Sequence, residues 1–116
     1  MAKITRMGSN AILSNSVEYH NFVFLAGITA DDLALDVAGQ TKQVLAKIDA
    51  ALEANGTDKT RLLNAQIWLK SIGDRDAMNQ VWVEWLGDEG RPARACVETN
   101  MADPRHLVEI MVNACR

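Results

Sequence analysis

The chain has 116 residues, 48% hydrophobic and 23% charged, with 12 basic against 15 acidic residues and a formal net charge of −3. Residues 1–116 therefore read as a single domain, long enough to bury a core. The acidic balance and the lack of any Lys/Arg block able to follow a phosphate backbone argue against nucleic acid as the main partner. The opening "MAKITRMGSN" lacks the apolar stretch of a signal peptide, and the longest apolar run, Phe22 to Ile28, is too short for a bilayer. No membrane partner is expected, and the expected location is cytoplasmic. Cys96 and Cys115 are the only cysteines, and they read as reduced thiols rather than a disulfide framework.

In chain order, "AILSNSVEYH" and "FVFLAG" are expected to form a hairpin around His20-Asn21. A helix follows from Asp36 to Asn55. Val37, Thr41, Val44, Leu45, Ile48, Ala51 and Leu52 recur at spacings of three and four as one apolar stripe. Gln40, Lys42, Gln43, Lys47 and Glu53 are expected on its outer side, and Asn55-Gly56 is a C-terminal stop. "LLNAQIWLK" alternates, with Leu63, Ala65, Ile67 and Leu69 on one face and Asn64, Gln66 and Trp68 on the other. A second helix spans Asp74 to Leu86, capped by Asp74 or Asp76, with Met78, Val81, Trp82 and Trp85 as its stripe. "RACVET" divides into Ala95 and Val97 against Arg94, Cys96 and Glu98. "LVEIMVNAC" divides into Val108, Ile110, Val112 and Ala114 against Glu109, Met111 and Asn113.

The order is β-β-α-β-α-β-β, which predicts an α+β fold with two helices on one face of a mixed sheet. The other face is then expected to carry Gln66, Trp68, Arg94, Cys96, Glu109 and Met111. That set is too apolar for open solvent and too polar for a core, so an oligomer with meeting sheets is expected.

Strand parity places Arg94, Cys96 and Glu109 on one face, and antiparallel pairing of the last two strands would bring Cys96 near Glu109. A guanidinium held on a strand suits a carboxylate, and a glutamate beside it can accept and return a proton. Two readings stay open: a site for a small acid, or a structural ion pair across two strands. Cys96 reads as a nucleophile or, with no base placed nearby, as a small group lining a pocket. His20, His106 and the two cysteines make no zinc pattern, and "LAGITADD" lacks the spaced glycines of a phosphate loop. No metal or organic cofactor is expected. Trp68, Trp82 and Trp85 read as packing residues.

"RPARACVE" followed by "VEI" (Val108 to Ile110) resembles the C-terminal signature of the Rid family, the YjgF-like reactive intermediate deaminases, and most resembles its YoaB-like branch. "FVFLAGI" is similar to the family's second strand and glycine turn. The segment "QVLAKIDAALEANGTDKTRLLNAQIWLKSIGDRDAMNQVW" is similar to its central helix–strand–helix. The resemblance implies a chorismate-mutase-like fold and a homotrimer, with sheets around a central barrel and active sites between subunits. It also implies hydrolysis of small imino acids, of the 2-aminoacrylate and 2-iminopropionate type, to 2-keto acids and ammonia.

Carried over by position, Arg94 would hold the substrate carboxylate and Glu109 would orient the attacking water. Cys96, Gly27 and Asn79 would line the cleft. Two positions depart from the family pattern. A tyrosine common among deaminase members aligns with Leu13, and a serine before the turn glycine aligns with Ala26; both hydroxyls are lost. Arg91, before Pro92, is also unusual and would add positive charge at the cleft mouth. Three functions follow: the deaminase, a non-catalytic trimeric module that binds or senses a small carboxylate, and a ribonuclease, against which the acidic balance counts.

Overall fold

Asp36 starts the first helix. Its side chain accepts a hydrogen bond from Gly39 N at 2.9 Å, satisfying one of the donors that the first turn leaves unpaired. The computed structural model describes residues 2–88 and 90–116, and in it α1 runs Val37–Ala54. Asn55 closes the helix, and Gly56 follows in the left-handed conformation at φ 72°. Val37, Thr41, Val44, Leu45, Ile48 and Leu52 are buried as the stripe predicts. The second helix, α2, is Arg75–Leu86. Asp74 occupies its N-cap without a side-chain hydrogen bond, so only Asp76 contributes a carboxylate to the first turn.

The sheet has seven strands, two more than expected: β1 Ile4–Met7, β2 Ser16–Tyr19, β3 Phe22–Leu25, β4 Ile28–Thr29, β5 Leu62–Leu69, β6 Ala93–Glu98 and β7 Val108–Cys115. The two additions are β1, which pairs antiparallel with β2, and the two-residue β4, which pairs with β7. The predicted hairpin is present as β2–β3, turning at His20-Asn21 with His20 at φ 54°. The strand order is β1-β2-β3-β7-β5-β6. All neighbours are antiparallel except β5 and β6, which are parallel. Both helices share one core with the sheet: Val23, Ala65, Ile67, Leu69, Val108, Ile110 and Val112 pack with the α1 stripe and with Met78, Val81, Trp82 and Leu86 of α2. The expected α+β arrangement is the observed one.

Four sequence expectations are corrected. First, Leu63 does not point into the core. A bulge between Leu62 and Asn64 shifts the β5–β7 register, so Leu62 packs on the core and Leu63 is exposed. Second, Gln40 is not on the outer side of α1 but fully buried. Its Nε2 donates to Leu35 O and Arg105 O, and its Oε1 accepts from Leu107 N at 2.9 Å. Third, β6 does not pair with β7, because β5 lies between them. Fourth, β6 faces the opposite way. Its register sets Arg94 beside Ala65, Cys96 beside Ile67 and Glu98 beside Leu69, on the helix-covered face. Ala95 and Val97 lie on the open face with Gln66, Trp68, Glu109, Met111 and Asn113.

Gln40 ties α1 to the loop that leads into β7, two residues ahead of Glu109. Replacing it with leucine keeps the volume but leaves two carbonyls and one N–H without their partner. Gln40→Leu is therefore expected to lower unfolding stability by about 2–3 kcal/mol, the usual cost of stranding such groups. Urea unfolding followed by circular dichroism reads this as a lower midpoint at unchanged slope.

Candidate functional site

The predicted site residues fall into two clusters on opposite faces of the sheet. The first is built by β6 and α2. Arg94 lies on the covered face at the sheet edge, where Nη1 donates to Asn79 Oδ1 at 2.7 Å. Its Cζ sits over the Trp82 ring, 5.6 Å from the centroid. Asn79 and Trp82 are three residues apart on α2 and so share the helix face that meets β6. Cys96, two residues on from Arg94, packs partly buried against the core. The Arg94 side chain has no other hydrogen bond among the described residues, so the rest of its donor fork is open.

The second cluster is built by β4 and β7. Glu109 lies on the open face, in register with Thr29 on one side and Trp68 on the other. Gly27 sits at the kink between β3 and β4. A Cβ placed there would run into the Glu109 carboxylate, so this glycine leaves the space that the carboxylate fills. Among the described residues the Glu109 side chain makes no hydrogen bond and no ion pair. Ala26, just before the kink, is held by a bond from its N–H to Asn15 O at 2.9 Å.

Arg94, Asn79 and Cys96 thus come together, as do Gly27 and Glu109, and the two sets stand apart within the chain. The expectation that Arg94, Cys96 and Glu109 share a face is overturned by the β6 register. The cross-strand ion pair fails for the same reason. The salt bridges among the described residues join Lys47 to Asp31, Arg105 to Asp103 and Arg116 to Glu18. Arg105 bonds Asp103 through both side chain and backbone and holds its carboxyl down at about 2, bracing the loop ahead of β7. Arg91 donates to Gly87 O at 2.8 Å, at the end of α2. Leu13 is exposed on the turn after β1, where Asn10 Oδ1 accepts from the N–H groups of Ile12 and Leu13.

The open face is strongly apolar. Ile4, Tyr19, Phe22, Phe24 and Val97 are all exposed on it, Phe22 by 47%. Beside them lies a concavity of about 660 Å³, bounded by Asn64, Ala65, Gln66, Trp68, Ala93, Arg94, Ala95, Met111 and Asn113, so that Arg94 also borders it from the β6 edge. Among the described residues no three His, Cys, Asp or Glu side chains converge to hold a metal ion. No helix among them is long and apolar enough to cross a membrane. Sequence reasoning missed Trp82 as Arg94's neighbour. The signal was its spacing of three from Asn79.

A two-helix α+β domain with a bare sheet face, an arginine cluster at the edge and a carboxylate cluster on the open face is the class of protein that the geometry defines. The family model described as "Endoribonuclease L-PSP" matches residues 3–116, and the chain belongs to that family, the Rid or YjgF family. The chain is 34% identical over 111 residues to the RutC family protein YoaB of Escherichia coli, covering 96% of each. It is 35% identical over 96 residues to the 3-aminoacrylate deaminase RutC of Acinetobacter baylyi, covering 78% of this chain and 75% of that one. A crystal structure of a YjgF-family protein from Neisseria meningitidis superposes with a TM-score of 0.94 at 38% identity, covering 98% of this chain and 95% of the other.

The Gly27–Glu109 contact makes a direct prediction. The added methyl of Gly27→Ala meets the far end of a flexible side chain, so the fold is expected to survive with a stability change under about 1 kcal/mol. The Glu109 carboxylate is expected to swing away. A crystal structure of the variant reads the displacement, and thermal unfolding checks the fold.

Proposed function

We propose that the protein is a cytoplasmic imine/enamine deaminase that hydrolyses small imino acids to 2-keto acids and ammonia without a metal or organic cofactor. The observation that carries this reading is the placement of Arg94 and Glu109 on opposite faces of one sheet, each with unused bonding capacity. A site needing both must be completed between copies. We infer a homotrimer in which the apolar open faces are covered and the Arg94 cluster of one protomer meets the Glu109 cluster of the next. The relative named as a 3-aminoacrylate deaminase supports the reaction class.

In this reading the free edge of Arg94 holds the substrate carboxylate through parallel N–H bonds and so fixes the imine carbon. Glu109 takes a proton from a water whose oxygen attacks that carbon. The C=N electron pair moves to nitrogen, the nitrogen is protonated, and the carbinolamine collapses to the keto acid as ammonia leaves. Asn79 holds the arginine, and Cys96 lines the floor beside it as a small, weakly polar group. Gly27 admits the glutamate.

A second reading, a trimer that binds a small carboxylate without turning it over, is favoured by Leu13 and Ala26, where two hydroxyls that would bond substrate or water are missing. Ribonuclease activity, which the family description names, ranks behind both, because a net charge of −3 gives little to hold a phosphate backbone.

The test generates 2-iminopropionate in situ with an amino-acid oxidase and traps it with semicarbazide. The native protein is expected to suppress semicarbazone formation. Arg94→Ala is expected to lose about a hundredfold in kcat/KM, equivalent to two charged hydrogen bonds. Glu109→Gln is expected to lose at least about a hundredfold in kcat. Folded native protein that binds pyruvate but leaves trapping unchanged would establish the binding module instead.

A further inference from the structure

We propose that Trp82 is a positioning residue for this site: its indole is a shelf beneath the Arg94 guanidinium that fixes which edge of the arginine meets the substrate. The inference rests on the reading of Arg94 as the carboxylate clamp and deepens it.

Arg94 stands on an exposed edge strand, and a long, flexible arginine in that position ordinarily samples many rotamers. Two restraints act on it here, both from one face of α2. Asn79 Oδ1 accepts from Nη1 at 2.7 Å. The Trp82 ring lies under the guanidinium, with Cζ 5.6 Å from its centroid. A hydrogen bond at one nitrogen leaves the group free to turn about that bond. An aromatic ring within cation–π range of Cζ opposes that turn, because the cation is attracted to the negative face of the indole. Together they define the plane and the edge, and the edge left over is the bidentate one a carboxylate needs.

The shelf is itself braced. Trp82 is only 5% exposed, and its ring centroid is 5.6 Å from that of Trp85. Trp85 Nε1 donates to Asp49 Oδ2 on α1 at 3.0 Å. Lys59, ahead of β5, donates to Trp85 O at 2.5 Å and lies 5.2 Å from the Trp85 ring centroid. The chain of contacts Lys59–Trp85–Trp82–Arg94, its two indoles tilted at 45°, therefore joins the far side of α2 to the clamp. Packing alone would be served by any large apolar side chain at position 82. Aligning a guanidinium requires a π face.

The experiment uses the full chain and two readouts, calorimetric affinity for pyruvate and the KM and kcat for 2-iminopropionate. Trp82→Leu is expected to raise both the pyruvate Kd and the KM about fivefold, in line with a partly desolvated cation–π contact, with kcat within about twofold of native. Trp82→Phe, which keeps a ring, is expected to recover most of the loss. Tryptophan fluorinated on its benzo ring and installed at position 82 keeps the shape but weakens the negative face, and is expected to raise Kd in the same direction. It also decides the matter if Trp82→Leu does not fold. The shelf is overturned if folded Trp82→Leu binds pyruvate as the native protein does, if Phe is no better than Leu, or if fluorination leaves Kd unchanged. Arg94→Ala separates the levels. If it binds pyruvate normally, the clamp reading fails and the shelf with it; if it abolishes binding while position 82 is silent, only the shelf fails.

Discussion

The parallel pairing of β6 with β5 is the constraint on which the site depends. Two parallel strands cannot be joined by a tight turn, so the chain must cross over the sheet between them, and here α2 makes the crossing. A helix so tethered lies over the strands it connects. One of its faces, carrying Asn79 and Trp82, is thereby delivered to the first residues of β6. The ladder then fixes the parity of β6 strand-wide, because each residue must share the face of its β5 partner. Arg94 goes under the helix because Ala65 does. Glu109 goes to the open side because its β5 partner is Trp68.

The same constraint sets the chemical character of the two faces. At the interior of the covered face, Ile67, Leu69, Ile110 and Val112 exclude water completely. At the β6 edge the core thins, and half-buried Cys96 and the stacked Arg94 close it in place of aliphatic side chains. An arginine suits such a border, since its stem and planar head cover apolar surface while its N–H groups stay available. The open face has no helix to cover Phe22, Phe24 and Val97, and an apolar surface of that extent calls for a protein partner. Burial of one face by helices and of the other by a second copy would satisfy both halves of the alternation.

Much of the architecture was legible because it is local. The stripes of both helices, the Asn55-Gly56 stop, the β2–β3 turn and the inward set of β7 are written in spacings of two, three and four residues. What was not legible depends on partners distant in sequence. Alternation in "RACVET" says that two faces exist but not which is covered. Ala95 and Val97 read as the core side because they are apolar, and only the register with β5 shows the reverse. Leu63 was misplaced by one extra residue in one strand, which no period-two count can register. Gln40 looked external because it is polar, yet it satisfies three backbone groups brought to it by the loop before β7 and by Leu35. Of the candidate site residues, the structure brings Arg94, Asn79 and Cys96 together and Gly27 and Glu109 together, but the two groups are separated by the thickness of the sheet, which strand parity alone did not reveal.

That separation bears on how such a site could work. Arg94 and Glu109 stand two strands apart, offset by three residues along β5 and on opposite faces of the sheet, so neither satisfies the other's bonding capacity within one chain. The guanidinium keeps an edge free, and the carboxylate has no partner among the described residues of its own protomer. In the proposed assembly the cleft sets their spacing, and a carboxylate-bearing substrate with its attacking water fills the interval. Rigidity on each side then matters more than attraction between them. Asn79 and the indole of Trp82 would supply it for the arginine, while Gly27 leaves open the slot that the glutamate's flexible carboxylate occupies.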